Sequence, residues 1–171
     1  YVVANVVFDR PPLFLIQPGE ILQGGEFLLF ALLGLCAAAV SILYMQSILR
    51  TAKFARELNI SPPPRGLIAG VGLGLVTLWL PEITGVGQYT MRFATIDGAF
   101  SAFELGGLML GKIALTAFCL GFGFVGGVFS PALVVGALFG GLFWTISSVI
   151  MPDTLSSYSI YVICGMMAVT S

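Results

Sequence analysis

Charge is scarce in this 171-residue sequence, of which only 9% is aspartate, glutamate, lysine or arginine. Soluble domains carry about 25%, so this chain could not cover its own surface against water. It is 58% hydrophobic, and its mean hydropathy is +1.04. These values predict that the surrounding solvent is largely lipid. The net charge of −1 offers no electrostatic footprint for a nucleic acid.

Histidine is absent, which removes the commonest general base and the commonest metal ligand. Three cysteines, Cys36, Cys119 and Cys164, lie far apart in apolar runs, so we expect neither a metal site nor a disulfide framework. The sequence also lacks a G-x-S-x-G motif and a pair of membrane carboxylates. We therefore expect no metal, no cofactor and no enzymatic activity.

The sequence does contain long uncharged runs. Residues 27–49 have about the length needed to cross a bilayer. Four of the seven basic residues then follow between 50 and 65, and the first three are expected on the same helix: Arg50, Lys53, Arg56 and Arg65. The positive-inside rule places the 50–65 loop in the cytoplasm and the acidic-leaning linker 9–26 on the other side.

The remaining segments are unequal and interrupted. After a proline-rich break come a glycine-rich segment ended by Pro81, an irregular stretch, two further apolar runs and a last helix: 65–81, 83–103, 104–125, 128–150 and the residues from 159 onward. Short, interrupted helices are typical of transporters whose sites lie near the bilayer midplane. We predict an all-α integral membrane protein with broken helices of unequal length.

The domain organisation predicted from these runs is a single membrane domain over 1–171, expected to be a piece of a longer protein. We expect residues 1–26 to hold the end of a preceding span and an extracytoplasmic linker. Two membrane helices and an irregular segment should occupy 27–103, and the helices of a functional site should occupy 104–171.

One stretch, GFVGGVFSPALVVGALFGG at 123–141, is apolar and yet rich in residues that weaken helices. Irregular backbone inside a membrane is tolerated only where protein buries it or where it lines a wet cavity. Gly126 and Gly127 are expected to adopt special backbone angles, with Ser130 as N-cap and Pro131 in the first turn. A helix beginning near 130 would then present free N–H groups to an anion.

Two other interpretations of these glycines compete with an anion site. The first is ordinary glycine packing between helices, which the physics of the stretch favours as much as an anion site. The second is a dinucleotide fingerprint, since residues 121–126 match G-x-G-x-x-G. No strand is expected before this match, and no acidic residue follows at about twenty residues, so this interpretation is weak.

The sequence Gly127-Val128-Phe129-Ser130-Pro131 resembles the G-[hydrophobic]-F-x-P motif of the CLC family of chloride channels and proton/chloride antiporters. The similarity extends from about residue 26 to the end. It implies a partial CLC-type inverted-repeat fold. It also implies that the backbone amides of Val128 and Phe129 contribute to the anion pathway, with Gly127 permitting the turn and Ser130 and Pro131 starting the helix.

The resemblance implies further properties of the whole protein. These are chloride as transported ligand, protons as a second partner in an antiporter, a homodimer in a lipid bilayer, and a place in the bacterial inner membrane. The family's gating glutamate and pore tyrosine are absent from the sequence and are expected outside it. Phe122, Phe124 and Val125 stand where the family often has small polar residues, which bears on hydration of the site.

Lys112 lies within an apolar run and has two alternative roles. It is expected either to snorkel to the membrane surface or to add positive potential along an anion path. Tyr44, Trp79, Tyr89 and Trp144 are interpreted as interface anchors or packing residues.

The predicted function is chloride transport by a CLC-type channel or antiporter, and the short loops favour antiport. The alternatives are another broken-helix transporter of a small anion and a membrane scaffold subunit that transports nothing.

Overall fold

The computed structural model describes residues 26–58, 60–85, 87–151 and 155–171, and these ranges contain helices and connecting turns but no β-strand. The helices are α1 (Glu26–Glu57), α2 (Pro62–Trp79), α3 (Gln88–Ala94), α4 (Ala102–Gly121), α5 (Phe129–Ile150) and α6 (Tyr158–Thr170), with a short 3₁₀ turn at Pro81–Ile83. The predicted all-helical class is confirmed. The expectation for residues 1–25 lies outside the described residues.

Helix α1 has 32 residues, which corresponds to a length of about 48 Å at 1.5 Å per residue. It therefore exceeds the hydrocarbon core of a bilayer, which is about 30 Å thick. This helix also contains Arg50, Lys53 and Arg56, as predicted. Most of its large apolar side chains are exposed, among them Phe27, Leu28 and Leu35, as is normal where the outer surface faces lipid.

Three described helices, α1, α4 and α5, are long and apolar enough to cross a membrane. Helix α2 has 18 residues but is not among them, because its first turn consists of three prolines and Arg65. It begins after Ser61, whose backbone is extended, with proline in its first turn as helix starts favour. The helix ends at Trp79, and Pro81 opens the 3₁₀ turn that follows.

Helix α4 begins with a capping box that the sequence carries in the pattern Ser101-x-x-Glu104. The Ser101 side chain accepts a hydrogen bond from the Glu104 N–H, and the Glu104 carboxylate accepts one from the Ser101 N–H at 2.8 Å. This arrangement satisfies two N–H groups that the start of a helix leaves free. The helix ends at Gly121, and Gly123 turns the chain with a φ of 103°.

Helix α5 lies at the centre of the described chain and contacts α1, α3, α4 and α6. Its middle is buried, and its closest neighbour is α6. Gly136 and Gly140 of α5 face Gly165 of α6 so closely that backbone meets backbone. A methyl group built on Gly140 would lie 2.8 Å from the Val162 Cα, which is too close for any real Cβ contact. This is the small-residue packing that membrane helices use.

Candidate functional site

The start of α5 differs from the predicted start in two details. The helix begins at Phe129, near the predicted position, but its N-cap is Val128, with φ −82° and ψ −18° and without a side-chain cap. Ser130 is therefore already inside the first turn, so its predicted N-cap role is wrong. Pro131, the third helical residue, does lie in the first turn, where its missing N–H leaves no intrahelical bond unmade.

The special backbone angle that we expected at Gly126 and Gly127 occurs earlier, at Gly123. Among the described glycines with positive φ, neither Gly126 nor Gly127 appears. The turn follows directly after the end of α4, where a left-handed glycine stops a helix most easily. Residues 124–127 then run without helical structure into α5.

Two backbone N–H groups point out of the start of α5. Neither the Val128 N–H nor the Phe129 N–H donates a hydrogen bond to another described residue. Both residues are exposed, Val128 to 44% and Phe129 to 63%. The dipole of α5 adds partial positive charge at the same point. Free amides at the positive end of a helix form an arrangement that binds anions.

The depth of this helix start follows from its contact with α1. The Tyr44 hydroxyl donates a hydrogen bond to the Val128 carbonyl at 3.0 Å. Tyr44 lies six residues before Arg50, or about 9 Å along α1, and about 26 Å from the other end of the uncharged run 27–49. The start of α5 is therefore set beside the apolar part of α1, within the thickness of a bilayer.

Tyr44 is a packing residue, one of the two alternatives that the sequence indicated, and it also makes a specific hydrogen bond. Its side chain is only 4% exposed, and its hydroxyl bonds to a residue 84 positions away in the chain. No short-range pattern signals such a contact. An aromatic residue among apolar ones predicts burial, but the partner becomes known only when α1 and α5 are placed together.

Lys112 extends from the middle of α4 and is 3% exposed. Its ammonium donates to the carbonyls of Ile83, at 2.9 Å, and Gly85, at 2.7 Å. The side chain therefore does not snorkel. The ion pair found among the described residues joins Lys53 to Glu57, and no described carboxylate pairs with Lys112.

The position of Lys112 relative to α5 follows from Gly87. A Cβ built on Gly87 would lie 3.6 Å from the Lys112 Nζ and 2.7 Å from a methyl group of Val134. Val134 is five residues into α5, about 8 Å along the helix from Phe129, and the Lys112 ammonium and Val134 both border Gly87. The structure thus brings an uncompensated positive charge beside the first turns of α5.

Glu26 was assigned to a linker from the sequence, but it belongs to the first turn of α1 and is 1% exposed. The Ser156 N–H and hydroxyl both donate short hydrogen bonds to its carboxylate, and the Tyr161 hydroxyl donates a third at 3.5 Å. The carboxylate thus joins the start of α1 to the start of α6. Sequence reasoning missed this bond because 130 residues separate its partners.

The described residues contain no group of three or more cysteine, aspartate or glutamate side chains that could hold a metal ion. The G-x-G-x-x-G match at 121–126 covers the end of α4 and the turn after it, without the strand that a dinucleotide site needs. The site assembled by the structure is therefore the start of α5, with Tyr44 and Lys112 beside it.

Comparison with known proteins identifies the family of the chain. The chain matches the family described as voltage gated chloride channel over residues 1–171. A protein of Vibrio vulnificus named H(+)/Cl(−) exchange transporter ClcA is 32% identical over 142 residues, which are 81% of this chain and 30% of the relative. A Vibrio cholerae protein of the same name gives the same identity and shares.

A more distant relative is an uncharacterised protein of Methanocaldococcus jannaschii. It is 27% identical over 143 residues, or 84% of this chain and 36% of the relative. The chain spans about a third of the length of the curated relatives that it matches.

Proposed function

The chain belongs to the voltage-gated chloride channel family, and from this premise we propose that it supplies part of the anion pathway of a membrane chloride transporter. One observation carries the proposal. Helix α5 begins beside the apolar part of α1, and at its positive end the N–H groups of Val128 and Phe129 donate no hydrogen bond to another described residue. Channels and exchangers of ions need no enzymatic residue and no cofactor, and none enters the proposed mechanism.

The proposed mechanism replaces part of the water around chloride with backbone N–H groups. Each amide donates to the anion, and the dipole of α5 adds attraction without a formal charge at the point of contact. Conduction requires binding strong enough for entry and weak enough for release. Amides meet this requirement better than a lysine or arginine in direct contact, because a full positive charge would hold a small anion too firmly.

Lys112 contributes to this proposal from a distance. Its ammonium donates to two backbone carbonyls. In this proposal it raises the electrostatic potential at the start of α5 without binding the anion directly. At about 10 Å and an effective dielectric constant of 20, the attraction to a chloride ion is about 1.7 kcal/mol. The electrostatic role considered from the sequence is therefore the one that we propose.

We propose exchange of chloride for protons in preference to a channel. The support is that the Vibrio relatives are named H(+)/Cl(−) exchange transporters. We also propose that the whole protein is a homodimer in a bacterial inner membrane, with the basic loop at 50–65 on the cytoplasmic side.

The test is flux through liposomes that contain the protein as its gene encodes it. Vesicles are loaded with potassium chloride, a chloride gradient is imposed, and external chloride and pH are recorded together. We expect chloride to leave the vesicles and to drive protons against their own gradient. Chloride flow without proton movement would replace exchange by a channel and leave the anion site in place.

Two results would overturn more of the proposal. If folded protein carries an organic anion but no chloride, the amides of α5 serve another substrate. If it carries no anion, the glycine-rich stretch serves only helix packing, as in a scaffold subunit. Anomalous scattering from bromide soaked into crystals provides a direct check, because we expect bromide beside the amides of Val128 and Phe129.

A further inference from the structure

The hydrogen bond from Tyr44 is made to the carbonyl of Val128, in the peptide unit whose N–H belongs to the proposed anion site. The Tyr44 hydroxyl is buried and donates to the Val128 carbonyl at 3.0 Å. That carbonyl also accepts the first hydrogen bond of α5, from the Ala132 N–H at 3.2 Å. Since a buried hydroxyl needs a partner, this hydrogen bond holds the Tyr44 ring and the Val128 carbonyl in a fixed relative position.

The Val128 carbonyl and the Phe129 N–H belong to the same peptide unit. Resonance couples the two groups, since the C–N bond has partial double-bond character. A donor on the carbonyl oxygen increases this character and leaves the N–H more positive. In chains of hydrogen bonds, such polarisation strengthens each bond by about 10–30%. The hydroxyl of Tyr44 therefore makes the Phe129 N–H a stronger donor on the opposite side of the peptide.

The same bond also holds the peptide plane. Helix α5 has no side-chain cap at Val128, and residues 124–127 before it are not helical. The first peptide of the helix thus gains a fixed partner from α1. Its orientation determines where the Phe129 N–H points.

We propose that Tyr44 is a positioning residue that sets the orientation and donor strength of the Phe129 amide, and through it the affinity for chloride. The inference rests on the proposed function, because it concerns the same site. It assigns Tyr44 no contact with the anion. Chloride is more strongly hydrated than thiocyanate, so a weaker donor should reduce chloride binding more than thiocyanate binding.

The test compares Tyr44→Phe with the wild type in the protein as its gene encodes it. Calorimetric titration with chloride and with thiocyanate gives both affinities, and thermal unfolding gives stability. Tyr161→Phe is the matched control, because it also removes a buried hydroxyl, one that bonds to Glu26 instead. We expect Tyr44→Phe to weaken chloride binding about two- to tenfold and to lower the preference for chloride over thiocyanate.

A second measurement separates this role from a merely structural one. Replacing Phe129 by its α-hydroxy analogue turns the amide into an ester and removes the N–H. In this background Tyr44→Phe should cause little further loss of chloride affinity, whereas a general packing defect would lower it as before.

Three results would contradict the inference. The first is unchanged chloride affinity in Tyr44→Phe when the wild type binds chloride. The second is an equal loss in Tyr161→Phe, and the third is an undiminished loss in the ester background. If the wild type itself binds no chloride, the proposed function fails first and this inference fails with it.

Discussion

The segment just before α5 and the middle of α5 both contain glycines, but these glycines have opposite surroundings. Before the helix, a Cβ on Gly127 would meet nothing within 4 Å, and one on Gly126 would make an ordinary contact at 3.8 Å. In the middle, Gly136 and Gly140 lie against the backbone of α6, where no Cβ fits. An open segment at 126–127, just before α5, is therefore followed by a closed segment at 136–140 within the helix.

This difference separates the two interpretations that the sequence left equally favoured. Helix packing accounts for the glycines at 136, 140 and 165, while it does not account for those at 126 and 127. The open segment also leads directly to Val128 and Phe129, whose N–H groups donate no hydrogen bond to another described residue. We therefore expect substitutions in the closed segment to change stability and substitutions around the open segment to change anion binding.

The largest expected effect is on stability, from Gly140→Ala. The added methyl group would overlap the Tyr161 carbonyl and the Val162 Cα, and both are backbone atoms that cannot rotate away. We expect a loss of about 1–3 kcal/mol in the free energy of unfolding, as is typical of overpacked sites. Thermal unfolding in detergent measures it.

Gly127→Ala is the matched control for Gly140→Ala. It makes the same chemical change on the same helix-forming stretch, and we expect the unfolding temperature to stay near that of the wild type. Equal destabilisation by both substitutions would remove the distinction between the open and closed segments.

The next effect concerns Glu26, whose carboxylate accepts hydrogen bonds from Ser156 in the segment between α5 and α6. In Glu26→Gln a single amide oxygen would replace the two carboxylate oxygens that accept hydrogen bonds from the Ser156 N–H, the Ser156 hydroxyl and the Tyr161 hydroxyl. A buried group left unsatisfied costs about 1–3 kcal/mol, so unfolding should occur at a lower temperature. Glu104→Gln serves as control because that carboxylate is exposed in its capping box, where glutamine substitutes well. A larger effect at Glu104 would contradict the assignment.

A further effect is expected on anion binding, from Lys112→Met. For an anion held about 10 Å from the ammonium, the Coulomb energy of about 1.7 kcal/mol corresponds to roughly 16-fold weaker chloride binding. Lys53→Met makes the identical change at a side chain that is 81% exposed, where solvent screens the charge. Titration calorimetry with chloride measures both variants, and equal affinities would mean that Lys112 only braces the turn at 83–85.

The sequence predicted the helices well because apolar runs, prolines and basic flanks mark their ends. The uncharged run at 27–49 predicted α1, and Pro81 marked the end of α2. The start of α5 was found within one residue, although its cap was placed wrongly at Ser130 since the backbone of Val128 had already turned helical. The positions of Val128 and Phe129 as site residues came from family resemblance, and their role in the anion pathway stays a proposal.

What the sequence could not predict were contacts between distant residues. The bond from Tyr44 to Val128 spans 84 positions and the bond from Ser156 to Glu26 spans 130. Neither has a local signature, because each depends on how two helices lie against each other. The capping box of Ser101 and Glu104 is the opposite case. Its Ser-x-x-Glu spacing is a local signature of a helix start, and it was not used in predicting the helices.

The bond between Glu26 and Ser156 can form only after Ser156 has been synthesised, long after Glu26. The 130 residues between them take a ribosome roughly 7 to 26 seconds at 5–20 residues per second. During that interval the carboxylate of Glu26 has no Ser156 to bind, so we expect it to stay in water at the membrane surface. Helix α1 would then settle at its final depth only when α6 has been synthesised.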